Sequence, residues 1–176
     1  MKNKKIYICI FIIFVVILAC CKYYLVNKNV PSEYHIEYNL KGETIKYDDF
    51  EMKVNSSSVG DLIHDQYGEF VPITVDFNVK NISNEILSAG IFRESSLGIG
   101  NIKFQTDQGE FDKDKLKELN PNETINIKLV YLINIDTYNN RNKNEPLCLY
   151  VSSKLYNMEL LEKTKLGIRY GKAIKL

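Results

Sequence analysis

Phe70-Val-Pro-Ile-Thr-Val-Asp-Phe-Asn-Val-Lys80 is the stretch that decides the fold. Val71, Ile73, Val75, Phe77 and Val79 alternate with Pro72, Thr74, Asp76, Asn78 and Lys80. Successive side chains of a strand point to opposite faces, so this spacing predicts a half-buried β-strand. Pro72 has no N–H to give a ladder and belongs at the strand's start or on an exposed edge. Thr124–Ile135 repeats the pattern, with Ile125, Ile127, Leu129, Tyr131, Ile133 and Ile135 as its inward row, and reads as the longest strand.

Shorter pieces surround these two. Ile45, Tyr47, Phe50, Met52 and Val54 alternate with polar residues on either side of a bend at Asp48-Asp49, and Ser56–Asp61 reads as a turn-rich gap. Glu85–Arg93, Asn101–Thr106, Pro146–Ser153 and Leu166–Tyr170 read as further strands. Gly98 and Gly100 read as chain breaks, and Asp107-Gln-Gly-Glu110 as a hairpin-like turn with its glycine at positive φ. Lys113–Leu119 fits one turn of helix stopped before Pro121. Leu155–Glu162 fits either a short helix or a strand with a turn. About seven short strands with little helix between them predict an all-β, antiparallel sandwich of immunoglobulin-like type. A βαβ sheet needs long helical stretches between strands, and none is present.

The amino-terminal segment is of another kind. Met1–Lys5 is basic, Ile6–Cys21 has no charged residue, and Tyr23-Tyr-Leu-Val26 follows Lys22. Basic-then-apolar order is that of an export leader, with lysines on the cytoplasmic side. As a signal-anchor helix it spans a bilayer once Lys22 snorkels to the interface. As a lipoprotein leader it offers Ile17-Leu-Ala-Cys20, with Cys20 or Cys21 as the lipidated residue. The expected organisation is a tether over residues 1–26, a polar linker over 27–40 and a sandwich domain over 41–176. The whole chain of 176 residues carries 23 basic and 22 acidic side chains. Its first 26 residues hold four Lys and no acid, which leaves 19 basic against 22 acidic beyond them. A mildly acidic exported domain gives no electrostatic ground for binding nucleic acid.

Chemistry-bearing clusters are few. Cys148 is the one cysteine beyond the leader, so the domain has no internal disulfide to form, and it reads as an inert strand residue. Asp61-Leu-Ile-His64-Asp65 would gather two acids and a histidine on one face of a helix, as a metal site or an acid–base pair. No second cluster completes that shell, and a solvated loop is the simpler reading. Asp107, Glu110, Asp112 and Asp114 lack the glycine that a calcium loop requires at its sixth position. Asn55-Ser-Ser57, Asn81-Ile-Ser83 and Asn122-Glu-Thr124 match a glycosylation sequon, but each lies where a turn wants asparagine. No phosphate-binding loop, dinucleotide fingerprint, serine-hydrolase elbow or zinc-protease motif is present, so no cofactor is expected. The 20 Lys, 18 Asn and 21 Ile against three Arg reflect codon bias of the AT-rich kind.

In order along the chain, four blocks resemble a known family. Val71–Asn81 followed by Ser83-Asn-Glu-Ile86 is similar to its strand, asparagine and polar-turn block; Ile102–Gly109 to its strand running into an acidic glycine turn. Leu119-Asn-Pro-Asn-Glu-Thr124 resembles its L-x-P-G-E-T block, with Asn122 for the turn glycine, and Leu147–Val151 its closing strand. The family is that of uncharacterised immunoglobulin-like domains on exported Gram-positive lipoproteins, labelled after a telomeric repeat-binding factor. The resemblance covers roughly residues 42–155 and implies a sandwich and export. It implies no catalytic residue.

The expected role is a non-enzymatic, membrane-tethered binding domain outside the cell, its partner another envelope protein or a surface ligand. The alternatives are a structural subunit of an envelope complex, or a hydrolase or metal protein using Asp61 and His64. Loops 56–69, 94–101 and 136–145 are the expected contact regions.

Overall fold

The computed structural model describes residues 2–28, 30, 33–156, 162 and 168–176. A helix, α1 (Lys2–Asn27), comes first. From Ile6 to Cys21 it carries no charge and is apolar all round rather than along one stripe.

Strands β1 (Glu33–Leu40), β2 (Thr44–Lys46), β3 (Phe50–Val59), β4 (Ile63–Asp65), β5 (Gly68–Asn81), β6 (Ser96–Ile99), β7 (Ile102–Phe104), β8 (Gly109–Phe111), β9 (Thr124–Asn134), β10 (Cys148–Tyr150) and β11 (Ile168–Lys175) make two sheets. One runs β1-β11-β10-β6-β7 and the other β2-β3-β5-β9-β8, with β4 also paired to β5. Two short helices, α2 (Lys113–Lys117) and α3 (Ile135–Asn139), and a 3-10 turn at Gly90–Glu94 fill the connections. Among the described residues β1 and β11 are parallel, and the other ladders are antiparallel.

The sheets pack face to face. From β5 come Val71, Ile73, Val75, Phe77 and Val79, and from β9 Ile125, Ile127, Leu129, Tyr131 and Ile133, all buried. Leu97, Ile99, Leu149 and Ile174 answer from the other sheet. Burying each such side chain contributes about 1.5–3 kcal/mol relative to leaving it in water. Tyr131 crosses the core, and its hydroxyl donates to Ser95 O at 2.9 Å, tying one sheet to the start of β6. Burial pushes its phenol well above the usual tyrosine range.

The all-β sandwich is as the sequence predicts, but eleven strands stand among the described residues where about seven are expected. Residues 33–40, expected within a linker, form β1 and pair along their whole length with β11. Ser56–Val59, expected in a turn, continue β3, because the fourteen-residue β5 offers them partners at Asp76, Val75, Thr74 and Ile73. A register shift at Asn55 absorbs the irregularity. Residues 85–93, expected as a strand, make only the bridge Leu87↔Leu119 before the 3-10 turn. That turn drives Phe92 into the core against Phe50 (ring centroids 5.3 Å) and Tyr47 (6.0 Å).

The longest strand is β5 rather than β9. Pro72 lies near the start of β5, where the β3 ladder ends at Val59↔Ile73 and the β4 ladder resumes at Ile63↔Phe70. Gly98 lies inside β6, where a Cβ would overlap the Tyr150 ring. Gly109 lies inside β8 and is not among the positive-φ glycines; a Cβ there would overlap Lys128 O of β9, so close approach is its reason. The expected helical turn is α2, capped by Asp112, whose carboxylate accepts from the Asp114 and Lys115 N–H groups. Residues 157–161 of the ambiguous segment, and 166–167 of the expected closing strand, lie outside the described residues; Ile168 onward is β11.

Candidate functional site

The two ends of the sandwich differ. At one end the Tyr47 N–H donates to Phe50 O, and both rings pack on Phe92. Lys172, opposite Glu37 in the β1–β11 ladder, holds its ammonium 5.7 Å from the Tyr47 ring. Further along the chain, the Lys41 ammonium donates to Ser57 Oγ at 3.1 Å and the Gly42 N–H to Val54 O at 3.0 Å. β1 therefore runs from the Tyr47 end toward the tip where β3, β4 and β5 meet, and the chain enters the sandwich at the Tyr47 end. Only residues 28–32 separate α1 from β1, a reach of about 20 Å at full extension.

At the opposite tip apolar side chains stand in solvent. Val59, Leu62 and Ile63 are exposed, and Tyr67 is 80% exposed. Of Asp61, His64 and Asp65, expected as a group on a helix, His64 and Asp65 lie here on a β-hairpin instead and Asp61 precedes it. His64 pairs across the hairpin with Glu69 (Nδ1–Oε1 3.0 Å), and Asp65 accepts the Tyr67 N–H at 2.7 Å to shape the turn. Among the described residues no group of three His, Cys, Asp or Glu could hold a metal. Cys148 sits in the other sheet, buried, and burial raises its thiol pKa, an effect that Lys175 partly offsets.

The other sequence candidates act in the architecture. Glu110 pairs with Lys128 at 2.6 Å, and Asp112 caps α2. Asn55 donates to Asp76 at 2.8 Å, Asn122 holds φ at +63°, and Asn81 is buried and fully bonded. Cys20 and Cys21 are exposed on α1. Ile6–Asn27 is a 22-residue stretch containing an 18-residue window of mean hydropathy 2.6, long and apolar enough to cross a bilayer.

A cleft that the sequence does not announce lies between the 3-10 turn, β8 and α2. It has a volume of ≈ 490 Å³, and Arg93, Asp107, Phe111, Lys113, Leu116 and Lys117 are among its walls. The Arg93 guanidinium carbon lies over the Phe111 ring, 4.8 Å from its centroid, and its Nε is buried with no hydrogen-bond partner. The neighbouring acids Glu94 and Glu110 are committed elsewhere, to Lys154 and Lys128. These residues come from three elements and share no spacing, so no motif could expose them. Arginine's scarcity, three of 23 basic residues, is the one signal.

No family model and no curated protein matches the chain. Among solved structures it is similar to an uncharacterized β-sandwich protein from Clostridium difficile 630, with 13% identity and a TM-score of 0.52 over 82% of this chain and 97% of that one. Also similar are the yjhA protein from Bacillus subtilis (16% identity, TM-score 0.49, 78% of this chain and 98% of that one) and a functionally unknown protein from Listeria monocytogenes EGD-e (14%, 0.47, 62% and 70%). The structural neighbours are uncharacterised β-sandwich proteins from Gram-positive bacteria, and the likeness to the first of them is one of fold.

Proposed function

We propose that the protein is a non-enzymatic interaction domain of the immunoglobulin-like type, held at the outer face of a membrane by α1, and that its partner is another envelope protein. The observation that carries this reading is the polarity of the sandwich. The chain enters at the Tyr47 end, within about 20 Å of α1 by chain length. The opposite end exposes Val59, Leu62, Ile63 and Tyr67. Exposed apolar groups clustered on a polar surface mark contact sites, and this tip points away from the tether. The separation of Cys148 from His64 on different sheets supports a binding role over a hydrolase.

The test uses the full chain in intact cells with a photoreactive residue at position 67 and, as control, at exposed Lys53. The expected result is a discrete protein adduct from position 67 that disappears with Ile63→Asp. Equal labelling from both positions, or none from either, overturns the assignment of the tip. Protease treatment of intact cells tests the topology separately: the sandwich is removed if it lies outside and spared if it lies within.

A further inference from the structure

We propose that the cleft between the Gly90–Glu94 turn, β8 and α2 binds a phosphate ester, with Arg93 as its principal ligand. This assignment does not depend on the anchor or on the tip. Three cations, Arg93, Lys113 and Lys117, line the cleft against one carboxylate, Asp107. None of the three forms an ion pair among the described residues. The lining charge is therefore +2, which a phosphate monoester dianion neutralises and a carboxylate does not.

Arg93 is built to receive such a group. Its guanidinium carbon lies over the Phe111 ring, 4.8 Å from the centroid, while the buried Nε has no acceptor. The planar fork of donors of a guanidinium suits two oxygens of a phosphate, and the lysines supply point charges to the rest. The ≈ 490 Å³ volume exceeds what an inorganic anion needs and falls within the range of small-ligand sites. Phe111 and Leu116 give the organic part of an ester an apolar wall. Exposed α2 supplies two of the cations, but its own N-terminus is occupied by the Asp112 carboxylate, so the side chains and not the helix end make the site.

A phosphate ester can be a soluble molecule or the headgroup of a lipid. The 3-10 turn that carries Arg93 also carries Phe92, which packs at the end where the chain enters from α1, so a lipid headgroup is the second source to test. The experiment uses the full chain in nanodiscs of phosphatidylcholine, alone or mixed with phosphatidic acid, whose headgroup is a phosphate monoester, with glycerol phosphate, inorganic phosphate and acetate as titrants. Saturable binding of glycerol phosphate, tighter than inorganic phosphate and much tighter than acetate, is expected. Arg93→Gln lowers the affinity by about 10- to 100-fold, the loss of a charge-assisted bidentate contact. Lys113→Gln with Lys117→Gln, both on the exposed face of α2, weakens binding with the urea midpoint unchanged, which keeps the test valid if Arg93→Gln fails to fold. Protection of Lys113 and Lys117 from amine modification only in the phosphatidic acid discs assigns the lipid as the source. Binding of glycerol phosphate that is equal in both discs assigns a soluble ester. Absence of glycerol phosphate binding together with absence of lipid-dependent protection overturns the site. Acetate binding as tight as phosphate, or binding unchanged in all the variants, also overturns it.

Discussion

Replacing Asn81 with alanine should remove the joint that holds the Tyr47 end of the sandwich together. Asn81 is fully buried at the last position of β5. Its amide nitrogen donates to Glu85 O at 2.7 Å and Leu119 O at 2.8 Å, and its amide oxygen accepts from the Ser83 N–H at 2.9 Å and the Ser83 hydroxyl at 2.8 Å. Its main chain adds Asn81 N–H to Glu123 O and Asn122 N–H to Asn81 O. One side chain therefore fixes both the turn after β5 and the loop before β9. Each lost hydrogen bond costs about 0.5–1.5 kcal/mol net. Leu119 O keeps the Leu87 N–H, and exposed Glu85 can turn its carbonyl to water, so the sum falls near 3 kcal/mol rather than at the upper bound. Urea unfolding of the full chain in detergent, followed by tyrosine fluorescence, should show the midpoint falling by about 1.5 M for a slope of about 2 kcal/mol per M. Asn81→Asp is the sharper variant. A carboxylate still accepts from Ser83 but faces the Glu85 and Leu119 carbonyls without a proton to give, so it should be at least as unstable as Asn81→Ala at neutral pH. A loss below about 1 kcal/mol for alanine, or a stable aspartate variant, would falsify the reasoning.

Gly109→Ala sets a Cβ against the Lys128 carbonyl, which belongs to backbone and cannot turn aside, so β8 should leave β9. The expected cost is about 1–3 kcal/mol, with faster amide exchange at Phe111, and unchanged exchange there would refute it. Tyr131 and Tyr47 are both held protonated by burial. Above pH about 10 the unfolded chain gives up these protons while the folded chain keeps them, so stability falls as pH rises, by about 1.4 kcal/mol per pH unit for each tyrosine. Tyr131→Phe should lose the Ser95 bond, about 1 kcal/mol at pH 7, yet flatten the alkaline decline by about one such increment. Chemical denaturation between pH 9 and pH 11, on the order of half-unit steps, reads both effects. Intact-protein mass spectrometry separates the two tethers: an anchored chain retains Met1, whereas a lipoprotein begins at a diacylglyceryl-modified Cys20 or Cys21.

Strands buried on one face along their whole length were readable, because period two survives in β5 and β9 without help from neighbours. α1 declared itself by length and apolarity, and α2 by a short charged stretch that stops before Pro121. β1 alternates just as regularly, Glu33-Tyr-His-Ile-Glu-Tyr-Asn-Leu40, yet from Glu37 on its alternation is of the opposite sense to a core strand. Glu37 and Asn39 are the more buried members, and Tyr38 and Leu40 stand in solvent. Beside Asn27-Lys-Asn29 and Pro31-Ser32, such a stretch looks like connection. The serines of β3 were obscured for a different reason: their strand conformation comes from the excess length of β5, a tertiary property that local propensity does not encode. Arg93 and Lys113 were invisible as partners because packing of Phe92 and Leu116 into one core brings their elements together.

The parallel pairing of β1 with β11 also decides how the molecule bears a load. A pull on α1 reaches the sandwich through Glu33 and travels along the axis of β1. Eight registered residue pairs, Glu33↔Ile168 to Leu40↔Lys175, then share the stress in shear. Were β1 held across its length by a hairpin turn at the loaded end, the bonds would open in succession, like a zipper. In shear they must break together, so a pull that arrives through α1 meets the whole ladder at once.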